Sequence, residues 1–191
     1  MSTENCIYIS FQQIHSLALR ACIGTISTMP KKFNDGEPLA YFLTWTTYGT
    51  WLPGDERGWN RKDELADLPG NRVFNEAAES NLKETPFCLS DSDREIVEST
   101  VRKHCSIRNW ELYALSVRSN HVHAVVTAEN YKPDTVASQF KAWCTRNLKC
   151  NYPRRERYWT EGASQRWINQ ESELRTVVKY TLEAQDRKGV E

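Results

Sequence analysis

Between residues 40 and 48 the chain reads Ala-Tyr-Phe-Leu-Thr-Trp-Thr-Thr-Tyr, a run of aromatic and threonine side chains that predicts a β-strand. Gly49 and then Pro53-Gly54 end it in a turn. Residues 55–89 show no sustained periodicity and read as a long polar excursion. Near Ser90 the pattern changes: Ser90 to Asp93 offer cap oxygens and early acids, and Ile96, Val97 and Val101 recur at helical spacing, which predicts a helix to about Ile107. Leu112 to Val117 and His121 to Thr127 are two apolar runs separated by Ser119-Asn120, the signature of a β-hairpin. Pro133 suits a helix's first turn, and Val136, Ala137, Phe140, Trp143, Cys144 and Leu148 then follow one face, so Trp143 is expected in the core. Gln165 to Ile168 suggest a short strand. A last helix from about Glu171 carries Leu174, Val177, Val178 and Thr181 on one side. Strands and helices interspersed around a hairpin predict an α+β fold with an antiparallel sheet.

A length of 191 residues favours one domain. Residues 1–39 are aperiodic and broken by Pro30, Gly36 and Pro38, so they are expected to be an N-terminal tail outside the core, leaving 40–191 as the working domain. Met29, followed by Pro30-Lys31-Lys32, is an alternative point for translation to start, which would make residues 1–28 dispensable. Leu17 to Ile26 is apolar but short, carries Arg20 and lacks a basic leader, so neither a membrane span nor a signal peptide is expected. Six cysteines form no Cys-x-x-Cys pair, which fits a reducing cytoplasm better than a disulfide framework or a structural zinc site.

Charge sharpens the reading of partners. Twenty-five basic residues balance twenty-five acidic ones, so any grip on nucleic acid must come from a local patch and not from the field of the whole molecule. Lys141, Arg146, Lys149, Arg154, Arg155 and Arg157 crowd one stretch against the single acid Glu156. Trp143, Tyr152, Tyr158 and Trp159 are interleaved with them, and charged grooves with aromatic platforms suit single-stranded nucleic acid. Tyr158 and Trp159 are the expected stackers, with the arginines on phosphates; a solvated helix face and loop is the other reading of the same charges. The turn-rich segment from Thr50 to Trp59 is open to both a structural and a DNA-facing role.

Candidate chemistry centres on Asn120-His121-Val122-His123. In a strand, residues i and i+2 point to the same face with Cα atoms about 6.6 Å apart, so both imidazoles can reach one ion. Neutral imidazole is a common ligand of divalent metals, and two such ligands leave positions open for a substrate oxygen. Two ordinary strand histidines remain the plainer reading of so short a motif. A histidine-triad hydrolase would need a third histidine where Val125 stands.

The last helix carries Val177-Val178-Lys179-Tyr180, and one tyrosine downstream of a His-hydrophobic-His strand resembles the single-tyrosine HUH transposases, including the REP-associated tyrosine transposases of bacteria. The likeness covers roughly residues 40–187 and includes the amphipathic helix with Lys141-Ala142-Trp143. It implies a ferredoxin-like antiparallel sheet flanked by helices, a homodimer, and action on single-stranded or hairpin DNA. It further implies a divalent metal, Mg or Mn, on His121 and His123, with Tyr180 as the catalytic nucleophile that becomes joined to a 5′ phosphate. A phenol of ordinary pKa costs about 4 kcal/mol to deprotonate at pH 7, so a metal that polarises the phosphate gives such a site what it needs. Family members place Gln or Asn four residues after the tyrosine, whereas this chain has Ala184 there. Turning the helix by about 100° per residue aligns Leu174, Val178, Thr181 and Gln185, so Gln185 is the expected third ligand. Two competing functions use the same residues differently: a non-catalytic DNA-binding relative, and a metal-dependent phosphodiesterase in which bound water replaces Tyr180.

Overall fold

The structure, a computed structural model, describes residues 38–59 and 68–183 of the chain. The expectations for residues 1–37 and for Gln185 therefore lie outside the described residues. In chain order the elements are β1 (Ala40–Thr46), α1 (Arg72–Ser80), α2 (Asp91–Arg108), β2 (Glu111–Val117), β3 (His121–Thr127), α3 (Pro133–Leu148), β4 (Ser164–Ile168) and α4 (Glu171–Glu183). All strand pairs are antiparallel and the sheet order is β2-β3-β1-β4. The two central strands are thus β1 and β3, the ferredoxin-like arrangement.

Alternation along the central strands gives the sheet two apolar faces. Tyr41, Leu43 and Trp45 of β1 with Val122, Ala124 and Val126 of β3 enter one core cluster, which α2 and α3 cover with Val97, Val101, Cys105, Val136, Ala137, Phe140, Cys144 and Leu148. Ala40 of β1, Val125 of β3 and Ile168 of β4 enter a second cluster with Leu174 and Val177 of α4. Since removing a Val or Leu side chain from water contributes about 1.5–3 kcal/mol, covering both faces explains why β3 is buried over nearly its whole length. In β2 the register slips between Leu112 and Ala114. The extra residue lets Tyr113 and Ala114 both join the second cluster while Leu112 and Leu115 stay with the first.

Local signals set the helix ends. Ser90 and Asp93 form a reciprocal capping box at the start of α2, and Asn109 in the left-handed conformation ends it, at the expected place within a residue or two. Pro133 opens α3 as expected. Trp143, however, does not join the core: it is 43% exposed, because the buried stripe of α3 runs through Phe140, Cys144 and Leu148 and leaves position 143 on its shoulder. The reading of residues 55–89 as a polar excursion missed α1, a helix with no buried residue that is capped by Asn71 through its side-chain oxygen on the Phe74 N–H. Pro38 and Leu39, expected in the tail, are described, and the Leu39 carbonyl accepts a hydrogen bond from the Thr127 hydroxyl.

Candidate metal and tyrosine site

Strand alternation puts His121, His123 and Val125 on the face of β3 that α4 covers. Opposite them in β1 stand Thr46, Thr44 and Phe42, fixed by the antiparallel register Thr46↔His121, Thr44↔His123 and Phe42↔Val125. The two imidazoles lie with ring centroids 4.7 Å apart at 71°. His123 is buried, at 8% exposure, and stacks on Phe42 with centroids 5.4 Å apart and planes at 23°.

Each ring is held at Nδ1. Thr44 Oγ1 lies 2.7 Å from His123 Nδ1, and Asn120 Oδ1 lies 2.7 Å from His121 Nδ1. An oxygen partner at Nδ1 fixes the ring's orientation and, where Nδ1–H donates, places the lone pair on Nε2, the arrangement common to metal-binding histidines. The donor set therefore fits a divalent cation. Among the described residues no cluster of three His, Cys, Asp or Glu side chains is assembled.

From α4, Leu174, Val177 and Thr181 point into the sheet and are buried. Tyr180 follows Val177 by three residues, about 60° round the helix, so it lies on the shoulder of that stripe and keeps 48% of its surface exposed. Its ring meets Phe42 edge-on at 6.4 Å and His123 at 6.3 Å. Phe42 thus forms a common floor for the buried histidine and the tyrosine. An ion pair between Arg166 of β4 and Glu173 of α4, 2.7 Å, pins the helix's first turn to the edge strand.

The basic segment separates into exposed and committed residues. Arg146 and Arg154 are exposed, the former with its guanidinium 5.5 Å from the Trp143 ring centroid. Arg157 is half-buried over the Tyr48 ring at 5.7 Å. Arg155 is committed to the fold: its guanidinium donates to the carbonyls of Arg157 and Thr85, pairs with Glu84 at 3.5 Å and lies 4.7 Å from the Phe87 ring centroid. Lys141 is likewise anchored, its ammonium donating to the carbonyls of Thr160 and Gly162, and burial pushes it down to about 8. The expectation that Tyr158 stacks on bases is corrected by its position: the ring is 2% exposed and its hydroxyl donates to the Tyr152 carbonyl at 2.7 Å, because the loop folds back over the first core cluster. Trp159 is half-buried against Trp45 and donates its indole N–H to Thr145 Oγ1 and the Lys141 carbonyl.

Three residues of the site escaped the sequence reading. Asn120 reads locally as a turn residue, although its place directly before His121 is a usable signal. Thr44 and Phe42 depend on the register of β1 against β3, which no local pattern reveals.

No curated protein matches the sequence. Among solved structures the chain is similar to a REP-associated tyrosine transposase bound to a REP hairpin, with 14% identity over 86% of this chain and 75% of that chain and a TM-score of 0.49. It is also similar to a candidate transposase from Deinococcus radiodurans R1, with 15% identity over 82% of this chain and 98% of that chain and a TM-score of 0.46. The family model described as "Transposase IS200 like" matches residues 82–182, a span that takes in α2 to α4 with both histidines and Tyr180. That match covers more than half of the 191 residues, and the chain belongs to the IS200-like transposase family.

Proposed function

We propose that this transposase cuts and rejoins single-stranded or hairpin DNA through a covalent 5′-phosphotyrosine on Tyr180, beside a divalent metal, Mg or Mn, held by His121 and His123. The observation that carries the reading is the placement of the Tyr180 ring 6.3 Å from His123 on the face that both histidines share. Bound there, the metal would polarise a nonbridging phosphate oxygen and neutralise charge as it develops. Tyr180 Oη forms a bond to phosphorus as the bond from phosphorus to the 3′ oxygen breaks. The phenolic proton leaves to solvent and the 3′ oxygen takes one up, so the products are a tyrosine-linked 5′ phosphate and a free 3′ hydroxyl. Because the phosphodiester energy is kept in that linkage, the reverse step joins strands without a high-energy cofactor. Thr44 and Asn120 hold the two imidazoles in orientation, and Phe42 holds His123 and Tyr180 at a fixed spacing.

Gln185, two residues beyond the described end of α4, is the proposed third ligand, and the working form is a homodimer. Arg146, Arg154 and Arg157 are the proposed contacts to the DNA backbone, with Trp159 beside them and Lys141 and Arg155 shaping the loop that presents them.

The test is incubation of the full chain with a library of single-stranded hairpins and Mg²⁺ or Mn²⁺, followed by denaturing separation and peptide mapping. DNA joined to Tyr180 is expected, and Tyr180→Phe is expected to lose it while keeping fold and DNA affinity. Nicking by Tyr180→Phe would assign the attack to water and make the protein a phosphodiesterase. Binding without cutting by the unaltered chain would make it a non-catalytic relative.

A further inference from the structure

Beyond Thr46 the chain leaves β1 in a loop that the proposed chemistry does not use. It is firmly built. The Thr47 N–H and hydroxyl both donate to the Asn120 carbonyl, at 2.9 and 3.1 Å, and the Thr50 hydroxyl lies 3.3 Å from the same oxygen. Further on, Gly58 N–H donates to Asp55 O at 3.0 Å and Asn71 N–H to Gly54 O at 2.8 Å. Gly54 has φ +84°, and a Cβ there would stand 2.3 Å from the Asn71 carbonyl oxygen, so the turn admits glycine alone.

Within this frame Trp51 is held at the surface, 43% exposed. Its indole N–H donates to the Gly58 carbonyl at 2.8 Å, and the Arg57 guanidinium lies 4.9 Å from its ring centroid. Arg57 is itself clamped: Nε and Nη2 donate to the two Asp55 carboxylate oxygens at 2.7 and 2.6 Å, and Nη2 also reaches the Thr50 carbonyl at 2.9 Å. Nearly half of this large indole faces water, while the hydrogen bond and the clamped guanidinium fix its orientation. The loop adjoins the histidine site, because Thr50, next to Trp51, reaches the backbone of Asn120, whose side chain holds His121.

We infer that the Trp51 ring, backed by Arg57, is a stacking platform for one unpaired base of the DNA strand that passes His121 and His123. The inference rests on the proposed reading that unpaired DNA crosses that face. A base, and not a phosphate, is the matching group. Asp55 neutralises Arg57 and the neighbouring Glu56 is an exposed acid, so the loop offers a flat π surface without net positive charge. Fixing the ring beforehand removes the ordering cost that a mobile tryptophan would add on binding.

The experiment uses the full chain and hairpins with single-stranded flanks in which each flank nucleotide is replaced in turn by an abasic one. One position is expected to weaken binding by about 5- to 150-fold, the range that one base–aromatic stack supplies. In Trp51→Ala that position alone loses its effect, Trp51→Phe retains most of it, and the salt dependence of binding stays as in the unaltered protein. Photocrosslinking of 5-iododeoxyuridine placed at that position should map to Trp51. An abasic profile that is the same in Trp51→Ala, or a crosslink elsewhere, overturns the platform. A Tyr180 adduct formed alongside an unchanged profile removes the platform alone, whereas loss of both adduct and abasic sensitivity in the unaltered protein removes the proposed function with it.

Discussion

Tyr180 of the last helix and His123 of a central strand share one face of the sheet, with ring centroids 6.3 Å apart and planes at 68°. Phe42 touches both rings and sets that spacing. The helix is seated by Leu174, Val177 and Thr181, so the tyrosine's position follows from packing. Removing the Tyr180 hydroxyl alone is therefore expected to leave this packing in place.

His121→Ala and His123→Ala are expected to abolish metal-dependent cutting, but to differ in stability. His123 is buried and stacked on Phe42, so its truncation should cost about 1–3 kcal/mol, whereas His121, more exposed, should cost under about 1 kcal/mol. Urea denaturation measures the stability and Mn²⁺ titration the metal affinity. Wild-type cutting in either variant would remove the pair from the chemistry.

Thr44→Val keeps the strand's shape and removes the oxygen at His123 Nδ1. Losses of partners that orient ligand histidines commonly weaken metal binding by about 10- to 100-fold, and that range is expected here, with Thr44→Ser restoring most of it. The same reasoning applies to Asn120→Ala at His121. Metal affinity unchanged in both would show that the rings are oriented by packing alone.

Much of the fold was legible because its signals are local. The capping box at Ser90 and Asp93, the Ser119-Asn120 turn and Pro133 each fix a boundary through short-range geometry. His121 and His123 were legible for the same reason, since strand alternation alone puts them on one face. Trp143 and Tyr158 went the other way from expectation because burial is decided by what packs against a position. The α3 stripe bypasses Trp143, and the loop after α3 folds Tyr158 onto the first core cluster, where its ring meets Phe87 at 5.3 Å. α1 gathers Val73, Phe74, Ala77 and Ala78 on one side but buries none of them, and so short a stripe inside a polar stretch makes no sustained periodicity. Thr44 and Phe42 became part of the site only through the pairing of strands far apart in sequence.

Charge removal among the arginines should separate backbone contacts from structural ones. Removing the exposed Arg146 and Arg154 by alanine is expected to weaken DNA binding similarly across sequences and to reduce the slope of log affinity against log salt by about 1 per lost contact, with little change in stability. Arg155→Ala should do the opposite: it strips donors from the Thr85 and Arg157 carbonyls and should cost about 1–3 kcal/mol of stability. A salt slope identical to wild type in the double variant would return Arg146 and Arg154 to a solvated surface.

Asp93 carries the last prediction, because it ties the start of α2 to the loop after α3. It is fully buried, and its carboxylate accepts from the Ser90 N–H at 3.0 Å, the Ser90 hydroxyl at 2.7 Å, the Tyr152 hydroxyl at 2.6 Å and the Asn151 amide at 3.4 Å. Burial acts to raise this carboxyl, but the bonds from Ser90, Tyr152 and Asn151 outweigh it and hold it below the usual carboxylate range. The Tyr152 phenol, donating to the same carboxylate, is correspondingly pushed up. A carboxyl with a depressed pKa in the fold takes up its proton more readily in the unfolded chain. Its contribution is therefore complete above the unfolded value near 3.9 and is lost as pH falls below that value towards and through the folded one. Asp93→Asn keeps the volume and is expected to cost about 2 kcal/mol at pH 7, with Tyr152→Phe costing about 1 kcal/mol. Urea denaturation at pH 7 and at pH 3 tests this: the gap between wild type and Asp93→Asn should narrow at the lower pH, because the wild-type carboxylate is then losing the advantage that the variant already lacks. A gap that is equal at both values would mean that the bonds to Asp93 are as strong with the neutral acid as with the anion, and that the coupling of α2 to the following loop is one of shape alone.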